Sequence, residues 1–406
     1  MTTQALLSVA EARDFLLQRA RTNSQKTENI HLMRARGRVL ARDLVANRAV
    51  PPHDNSAMDG YAVRLADVQA GVTLPVSQRI AAGRAPQPLA VGTAARIFTG
   101  GVIPPGADAV VMQEDTTANS DSVTFNAGVS LGKNIRRAGE DVEKGTVVIP
   151  AGTRLGAAHL GLAAAIGESY VDVLAPLRVA VFFTGDELCE PGETLSVGKI
   201  YNSNRYWLRA VLEAQGCAVR DLGVVPDSLA ATRLALADAA ATCDVVLTCG
   251  GVSVGEEDHV KHAVEREGEL ALWKVAIKPG KPLAFGRVNK ADFVGLPGNP
   301  VSGFVTFLTL VSPFLRKRQG LPDNTLLTAP SFYKSEFTWG KPDPLRTEFL
   351  RVKHAQNEQG ETVLKLFPHQ GSGVLTSMAW ADGLVELAPG QSVAVGDMLP
   401  FTPFPW

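Results

Sequence analysis

Cysteine is scarce in this sequence, with four residues among 406, and no pair has the C-x-x-C spacing of a metal or redox site. Cys189, Cys217, Cys243 and Cys249 are therefore expected to be reduced, small apolar side chains of a cytosolic protein. An excess of one charge is also lacking, because 40 basic and 41 acidic residues leave a net charge of −1. This balance argues against a nucleic-acid-binding protein, and leaves open only a local basic patch.

Long apolar runs are missing as well. The most apolar later stretch, Val301 to Leu315, is too short to cross a bilayer and contains Pro313. Near the N-terminus, Glu11, Arg13 and Asp14 interrupt the apolar region that a signal peptide needs. These absences predict a cytoplasmic protein with no membrane partner.

Glycine and proline are plentiful, with 38 and 25 residues, which indicates many turns and argues against a helical bundle. At about 150 residues per domain, a chain of 406 residues predicts two to four domains. Two motifs that bind nucleotide phosphates are absent: G-x-x-x-x-G-K-[ST], and G-x-G-x-x-G after a predicted strand.

The sequence pattern predicts a multidomain α/β protein in four parts. Residues 1–46 and 137–176 form a helical and linker domain, into which a small β domain, residues 47–136, is inserted. Residues 177–327 alternate apolar strands with helices, which predicts a three-layer α/β domain with a parallel sheet. Residues 328–406 contain short β-type runs and predict a C-terminal β barrel or sandwich.

Apolar periodicity predicts four helices outside the regular α/β alternation. One helix places Leu6 to Leu16 on an apolar face, and a second covers Leu32 to Leu44. A third ends at Gly167, and a fourth runs from about Pro300 to Gly320.

The residues most suited to chemistry follow the predicted strands, where ligands bind in an open parallel sheet. Glycine-rich turns offer backbone N–H groups to phosphate oxygens, lysines neutralise them, and carboxylates hold Mg²⁺. The combination suits a phosphorylated ligand with a divalent cation. The turns are Thr184–Leu188, Pro226–Ser228, Gly250–Asp258, Lys278–Pro282 and Pro297–Pro300.

Each turn also has an ordinary structural explanation. Asp227 and Ser228 can cap a helix, Gly250 and Gly251 can form a strand-to-helix turn, and the acids up to Asp258 can complement a helix dipole. In the last domain, Arg346, Glu348 and Arg351 are either ion pairs of a surface strand or arginines that bind an oxyanion. Five separate structural roles at five successive strand ends would be a coincidence. One shared binding site explains all five turns together.

Nine motifs, in this order, resemble the molybdopterin molybdotransferases, which include bacterial MoeA and the E domain of gephyrin and of plant Cnx-type proteins. The resemblance covers essentially the whole chain. The motifs are SAMDGYA, IFTGGVIPPGADAVV, NIRRAGED, TGDEL with PGE, IYNSN, CGGVSVGEED, KPGKP, LPGNPVS and HQGSGVL.

The resemblance implies an elongated homodimer whose α/β domain binds molybdopterin. It implies a reaction in which adenylylated molybdopterin and molybdate give molybdenum cofactor and AMP, with Mg²⁺ as the cation. A molybdopterin adenylyltransferase and proteins that mature molybdoenzymes are the implied partners. Gly250-Gly251-Val252-Ser253 stands where adenylyltransferases have Gly-Gly-Thr-Gly, which favours insertion over adenylylation, and Asn202 stands where the family commonly has Asp.

The same resemblance implies roles for individual residues. Those expected around Mg²⁺ and the pyrophosphate are the acidic residues Glu187, Asp227 and Asp258. Those expected at the pterin nucleotide are Thr184, Gly185, Gly250, Gly251, Ser253, Gly255, Pro297 and Asn299. The cations of the site are expected to be Lys274, Lys278 and Lys281. Residues expected to meet molybdate are Arg346 or Arg351, and Ser372. Acidic residues expected near the dimer cleft are Asp59 and Asp141.

Three alternatives stay open at this point. The chain is an adenylyltransferase that uses ATP, a non-catalytic cofactor carrier or scaffold, or a relative that inserts tungsten. Tungstate and molybdate have nearly the same size and charge, so the sequence does not separate them.

Overall fold

A computed structural model describes residues 6–22, 26–251 and 259–405. The strands are β1 (Thr27–His31), β2 (Leu44–Val45), β3 (Asn55–Ser56), β4 (Gly60–Val63), β5 (Thr73–Ile80), β6 (Ala94–Ile97), β7 (Ala109–Met112), β8 (Thr116–Ala118), β9 (Ser122–Phe125), β10 (Ile135–Arg136), β11 (Val147–Ile149), β12 (Tyr170–Leu174), β13 (Arg178–Thr184), β14 (Leu188–Cys189), β15 (Ile200–Tyr201), β16 (Ala218–Val225), β17 (Val245–Cys249), β18 (Gly268–Lys274), β19 (Ile277–Lys278), β20 (Pro282–Val288), β21 (Ala291–Leu296), β22 (Ser331–Ser335), β23 (Thr347–Gln356), β24 (Thr362–Leu366), β25 (Gly383–Leu387) and β26 (Met398–Pro403). The α-helices are α1 (Val9–Arg19), α2 (Ala157–Ala165), α3 (Ser203–Ala214), α4 (Leu229–Thr242), α5 (His259–Glu267), α6 (Pro300–Thr306), α7 (Ser312–Arg318) and α8 (Thr376–Trp380).

The central sheet has the strand order β16-β13-β17-β21-β20-β18. Strands β16, β13, β17 and β21 are parallel, as their alternation with helices predicts. The sheet also has an antiparallel edge that the sequence did not predict, because β20 runs antiparallel to both β21 and β18. Only Asn289 and Lys290 connect β20 to β21, and a connection this short forms a hairpin and not a crossover.

Helices cover both faces of this sheet, which confirms the predicted three-layer α/β architecture. Apolar residues of α3, α6 and α7 share one core with β13, and α4 and α5 share a second core on the other face. The N-terminal helix α1 belongs to the first of these cores, through Val9, Ala12 and Leu16. Although the sequence groups residues 1–46 with the linker part, this helix packs against the central domain.

The linker part contains more strand than the sequence predicts. Strand β1 pairs with β12, β2 pairs with β11, and α2 ends before Gly167 as expected. The helix predicted over Leu32 to Leu44 is wrong: a short 3-10 turn ends at Arg34, and Val39 and Leu40 form bridges with distant residues. Gly37 has a φ of 78°, which interrupts any helix there.

The other two parts are β structures. The inserted segment has a six-stranded sheet of order β7-β4-β6-β5-β9-β8. In the C-terminal part, β23, β24, β22, β26 and β25 close into a barrel because β25 also pairs with β23. Strand β19, which lies between β18 and β20 in the chain, adds to this C-terminal sheet and not to the central one. No helix of the described ranges is both long and apolar enough to cross a membrane.

Candidate active site at the carboxyl edge of the central sheet

Three of the predicted turns lie side by side at the carboxyl edge of the central sheet. Because β13, β17 and β21 are parallel neighbours, Phe183 pairs with Cys249, and Cys249 pairs with Leu296. The turns that follow these residues begin at Thr184, Gly250 and Pro297. The structure thus brings together three turns, the first and last of which are more than a hundred residues apart in the chain.

Close backbone packing at this edge explains the two consecutive glycines. Gly250 has a φ of 102°, and a Cβ there would lie 2.5 Å from the carbonyl oxygen of Thr184. A Cβ at Gly251, whose φ is 65°, would lie 2.8 Å from the Thr184 hydroxyl oxygen. Thr184 is buried, and its hydroxyl has no hydrogen-bond partner within the described chain. Among the described residues, the Thr184 hydroxyl is therefore an unpaired polar atom that the glycine turn packs against.

Two of the predicted metal-binding carboxylates follow neighbouring strands. Thr184, the last residue of β13, pairs with Val225, the last residue of β16. Glu187 follows the first of these and Asp227 follows the second, and both side chains are exposed. The Glu187 carboxylate lies against Gly185, where a Cβ would be 2.6 Å from its Oε2.

The helix cap next to Asp227 is formed by its neighbour. The Ser228 side chain accepts a hydrogen bond of 3.3 Å from the Ala231 N–H at the start of α4. The capping explanation thus holds for Ser228, and Asp227 itself has a contact within the protein.

The turn after β21 is held in place from α3. The Asn204 side-chain amide donates a 2.6 Å hydrogen bond to the Gly298 carbonyl, and Asn204 accepts one of 2.9 Å from the Trp207 indole. The Cys249 thiol donates to the carbonyl of Pro297 at 3.0 Å. Asn299 is exposed directly before α6. Asn204 was not among the predicted site residues, although it is the last residue of the IYNSN motif.

The other asparagine of that motif has a structural role. Asn202 is buried and caps α3 by accepting a hydrogen bond from the Arg205 N–H. An asparagine oxygen serves this purpose as well as a carboxylate, so the departure from Asp does not disturb the helix.

Two of the three predicted lysines lie at the same edge of the sheet. Strand β18 is antiparallel to β20, and β20 is antiparallel to β21, so β18 ends where β21 ends. Lys274 is the last residue of β18 and pairs with Pro282, and Lys281 immediately precedes β20. Both lysine side chains are exposed.

The third lysine points toward the C-terminal part. Lys278 lies in β19 beside Glu348 of β23, and its Nζ is 2.8 Å from Glu348 Oε1. Gly280, two residues later, packs against α6, where a Cβ would be 3.3 Å from the Thr306 hydroxyl oxygen. The lysine turn therefore contacts both the central domain and the C-terminal barrel.

The two candidate arginines differ in exposure. The Arg346 side chain is 30% exposed, and it donates to Asp343 Oδ2 through Nε at 2.8 Å and Nη2 at 2.6 Å. Arg351 is completely buried, and it donates to the Ser377 hydroxyl and to the carbonyls of Phe349 and Gly371. Burial lowers the pKa of Arg351 to about 10. Of the two, only Arg346 reaches solvent.

Ser372 connects the C-terminal part to the central domain. Its carbonyl accepts a 3.0 Å hydrogen bond from the Val301 N–H in the first turn of α6. The loop that contains Ser372 also supplies the Gly371 carbonyl that Arg351 holds. Buried Arg351 therefore supports a loop that reaches the edge of the sheet.

The two acidic residues of the N-terminal half have local partners. Asp59 accepts hydrogen bonds from the N–H and hydroxyl of Thr99, at 2.8 and 2.7 Å, and these hold the pKa of its carboxyl below the usual value. Asp141 is exposed, and its N–H donates to the Val50 carbonyl. A cleft of about 400 Å³ adjoins it, lined in part by Arg136 and Glu140. These contacts do not link either residue to the strand ends described above.

Three predicted residues, Ser253, Gly255 and Asp258, fall in residues 252–258, outside the described part of the chain. Within the described part, no three His, Cys, Asp or Glu side chains are grouped closely enough to hold a metal ion. Glu187 and Asp227 still fit a cation that takes one or two carboxylates and fills its remaining positions with phosphate oxygens and water.

Family models cover nearly the whole chain. Residues 7–167 match the MoeA N-terminal region (domain I and II), residues 180–317 match a probable molybdopterin binding domain, and residues 340–404 match the MoeA C-terminal region (domain IV). The chain is 40% identical over 403 residues to a molybdopterin molybdenumtransferase of Haemophilus influenzae, covering 98% of this chain and 99% of that protein. This chain belongs to the MoeA family of molybdopterin molybdenumtransferases.

Two other members agree with this assignment. Molybdopterin molybdenumtransferase 2 of Mycobacterium tuberculosis H37Rv is 44% identical over 391 residues, covering 91% of this chain and 94% of that protein. The crystal structure of a MoeA protein of Pyrococcus horikoshii OT3 superposes with a TM-score of 0.84 at 30% identity, covering 98% of this chain and all of that one (100%). The family predicted from the sequence motifs is confirmed.

Proposed function

We propose that this MoeA-family transferase takes adenylylated molybdopterin and molybdate as substrates, and that it releases AMP as it forms molybdenum cofactor. The single observation that carries this proposal is the shared edge where the turns after β13, β17 and β21 meet Lys274 and Lys281. Glycine turns, lysines and carboxylates at one edge suit a ligand with a phosphoanhydride.

The backbone of the edge binds the phosphates in this proposal. Gly250 and Gly251 have no side chains of their own, so an anion can approach the main chain of this turn closely. The buried Thr184 hydroxyl donates from beneath the same turn, and Lys274 and Lys281 neutralise the phosphate charge from the opposite end of the edge. Ser253 and Gly255 extend the turn.

Glu187 and Asp227 would hold Mg²⁺, with Asp258 as the third acidic residue. When it is bound, Mg²⁺ neutralises charge on the phosphate oxygens. The two carboxylates orient the pyrophosphate relative to Lys278 and Lys281, which bind molybdate together with Arg346 and Ser372. The residues accelerate the reaction by positioning the substrates and stabilising charge, without a covalent enzyme intermediate.

The proposal includes a homodimer in the cytoplasm. The contacts of Asp59 and Asp141 within the subunit are local, and in this proposal the two residues act at a site to which the N-terminal half of a second subunit contributes. The adenylylated substrate comes from a molybdopterin adenylyltransferase, and proteins that mature molybdoenzymes receive the product.

The test measures AMP release by purified protein supplied with adenylylated molybdopterin, Mg²⁺ and molybdate. AMP release that requires molybdate and is lost in Asp227→Ala supports the proposal. Formation of adenylylated pterin from ATP and molybdopterin indicates an adenylyltransferase instead. Tight binding of the adenylate without AMP release indicates a carrier or scaffold. A parallel titration with tungstate measures the preference between the two oxyanions.

A further inference from the structure

The segment that carries Lys278 pairs with a strand that comes about seventy residues later in the chain. Ile277 and Lys278 of β19 lie beside Thr347 and Glu348 of β23 in a parallel pair. Neighbouring residues in paired strands present their side chains on the same face of the sheet. Lys278 and Glu348 are therefore fixed side by side by the backbone, before their charges are considered.

Glu348 is buried, and each of its carboxylate oxygens is occupied. Oε1 is 2.8 Å from Lys278 Nζ, and Oε2 accepts hydrogen bonds from the Trp339 indole at 3.0 Å and the Asp343 N–H at 2.8 Å. Burial by itself raises the pKa of Glu348, but the hydrogen bonds from Lys278, Trp339 and Asp343 outweigh it and hold the pKa below its usual value. The carboxylate is thus a fixed, buried anion.

A second cation shares this arrangement. Arg346 lies two residues before Glu348, directly ahead of β23, and both oxygens of the Asp343 carboxylate bond to it. Asp343 therefore donates its N–H to Glu348 and holds Arg346 with its side chain. Lys278 is 38% exposed and Arg346 is 30% exposed, whereas the Glu348 side chain is only 2% exposed.

Lys278 and Arg346 thus reach solvent, while Glu348, the buried anionic partner of Lys278, does not. A partly exposed lysine side chain has many rotamers. The bond to the fixed Glu348 carboxylate restricts Lys278 to few of them. An ammonium has three N–H donors, so the bond to Glu348 leaves the others free for an anion.

We propose that Glu348 is a positioning residue that holds the Lys278 ammonium, together with Arg346, at the spacing that binds the tetrahedral molybdate dianion. The C-terminal domain thereby completes an oxyanion site that the central domain begins. This inference rests on the function proposed above. In this inference, buried Glu348 affects the binding of molybdate only. The pterin nucleotide binds at the ends of the central strands.

The variant that tests this role is Glu348→Gln. A glutamine oxygen keeps the hydrogen bonds from Trp339 and Asp343, while its amide group replaces Oε1 and no longer accepts from Lys278. The expected result is a rise of about tenfold in KM for molybdate, from the loss of one charge-assisted contact, with KM for adenylylated molybdopterin unchanged.

The matched control is Glu361→Gln. Glu361 lies in the same C-terminal part and pairs with Lys334 at 2.9 Å, but both side chains are half exposed. This change removes a Glu–Lys ion pair of similar length, and it is expected to leave KM for both substrates unchanged.

A double variant shows whether Glu348 acts through the lysine. In a Lys278→Met background, Glu348→Gln is expected to raise KM for molybdate no further. An unchanged KM for molybdate in the single variant overturns the inference. So does an equal rise in KM for both substrates, or an undiminished rise in the Lys278→Met background.

Failure of the inference is distinct from failure of the function. If wild-type protein releases no AMP with molybdate, the proposed function fails. If wild-type protein is active and Glu348→Gln retains its KM for molybdate, only the inference fails. Should Glu348→Gln not fold, Trp339→Phe loosens the same carboxylate without removing its charge. It is then expected to raise KM for molybdate roughly threefold, and an unchanged value overturns the inference.

Discussion

Gly250 lies so close to Thr184 that a Cβ at Gly250 would be 2.5 Å from the Thr184 carbonyl oxygen. The contact joins the ends of the neighbouring strands β13 and β17, where no side chain separates the two main chains. Because the φ of Gly250 is also positive, glycine is required there on two independent grounds.

Gly250→Ala is expected to lower the free energy of unfolding by about 2–4 kcal/mol, because it adds backbone strain and a clash with a main-chain atom. Urea unfolding of the full chain measures this change. Gly340→Ala is the control, because a Cβ at Gly340 meets no atom within 4 Å. An equal free energy of unfolding for Gly250→Ala and Gly340→Ala would show that the turn after β17 accepts a Cβ without strain.

Glu187→Gln and Asp227→Asn are expected to abolish most AMP release while changing the free energy of unfolding by less than about 0.5 kcal/mol, since both side chains are exposed. The measurement is AMP release as a function of Mg²⁺ concentration. Glu358→Gln replaces another exposed carboxylate, in the C-terminal part, and is expected to have no effect. Wild-type rates in both site variants would remove these carboxylates from the proposed role.

Arg346→Met is expected to weaken the binding of molybdate, whereas Arg351→Met is expected to destabilise the fold. Arg346→Met raises KM for molybdate about tenfold with little loss of stability, because its guanidinium is partly exposed. Arg351→Met lowers the free energy of unfolding by about 3 kcal/mol, because it removes the buried guanidinium that donates to the Ser377 hydroxyl and to the carbonyls of Phe349 and Gly371. Thermal unfolding and molybdate titration of both variants check this, and a reversed pattern would assign the oxyanion to Arg351.

Stability in acid is expected to depend on Asp244, which lies beside Arg178 at the start of β13. Burial raises the pKa of Asp244, but hydrogen bonds from the Arg178 side chain and N–H outweigh it, so the pKa is lowered overall. A carboxyl with a lowered folded-state pKa stabilises the protein above its unfolded pKa, and this contribution is lost as the pH falls through the folded value.

Asp244→Asn is therefore expected to cost about 1–2 kcal/mol at pH 7, where the wild-type side chain is ionised and only 14% exposed, and progressively less below about pH 4. Urea unfolding of both proteins from pH 3 to pH 7 measures the difference. A cost that stays constant over this range would contradict the assignment.

The central sheet was predictable where local patterns decide the structure. Runs such as Arg178–Thr184 and Val245–Cys249 are mostly apolar, and helices separate them, so the sequence predicts parallel strands there. The glycine, lysine and carboxylate turns at their ends were found for the same reason.

The prediction was wrong where distant residues decide the structure. The segment from Leu32 to Leu44 has a helical spacing, but Val39 pairs with Arg154 and Leu40 with Val173, and these pairings are not visible in a local window. Arg346, Glu348 and Arg351 suggested an exposed strand by their charges, yet Glu348 and Arg351 are buried. The groups that they contact, the Lys278 ammonium and the Gly371 carbonyl, belong to other segments of the chain.

Strand β19 belongs to the C-terminal sheet, although β18 and β20 on either side of it in the chain belong to the central sheet. This arrangement affects the order in which the protein can fold during synthesis. The ribosome delivers Ile277 and Lys278 well before Thr347 and Glu348, with which they pair. A nascent chain can therefore assemble the strands of the central sheet while the Lys278 segment still lacks its neighbour. Only when the barrel strand emerges does that segment gain a partner, so a chain that stops before Thr347 would form the carboxyl edge of the central sheet without the neighbour of Lys278.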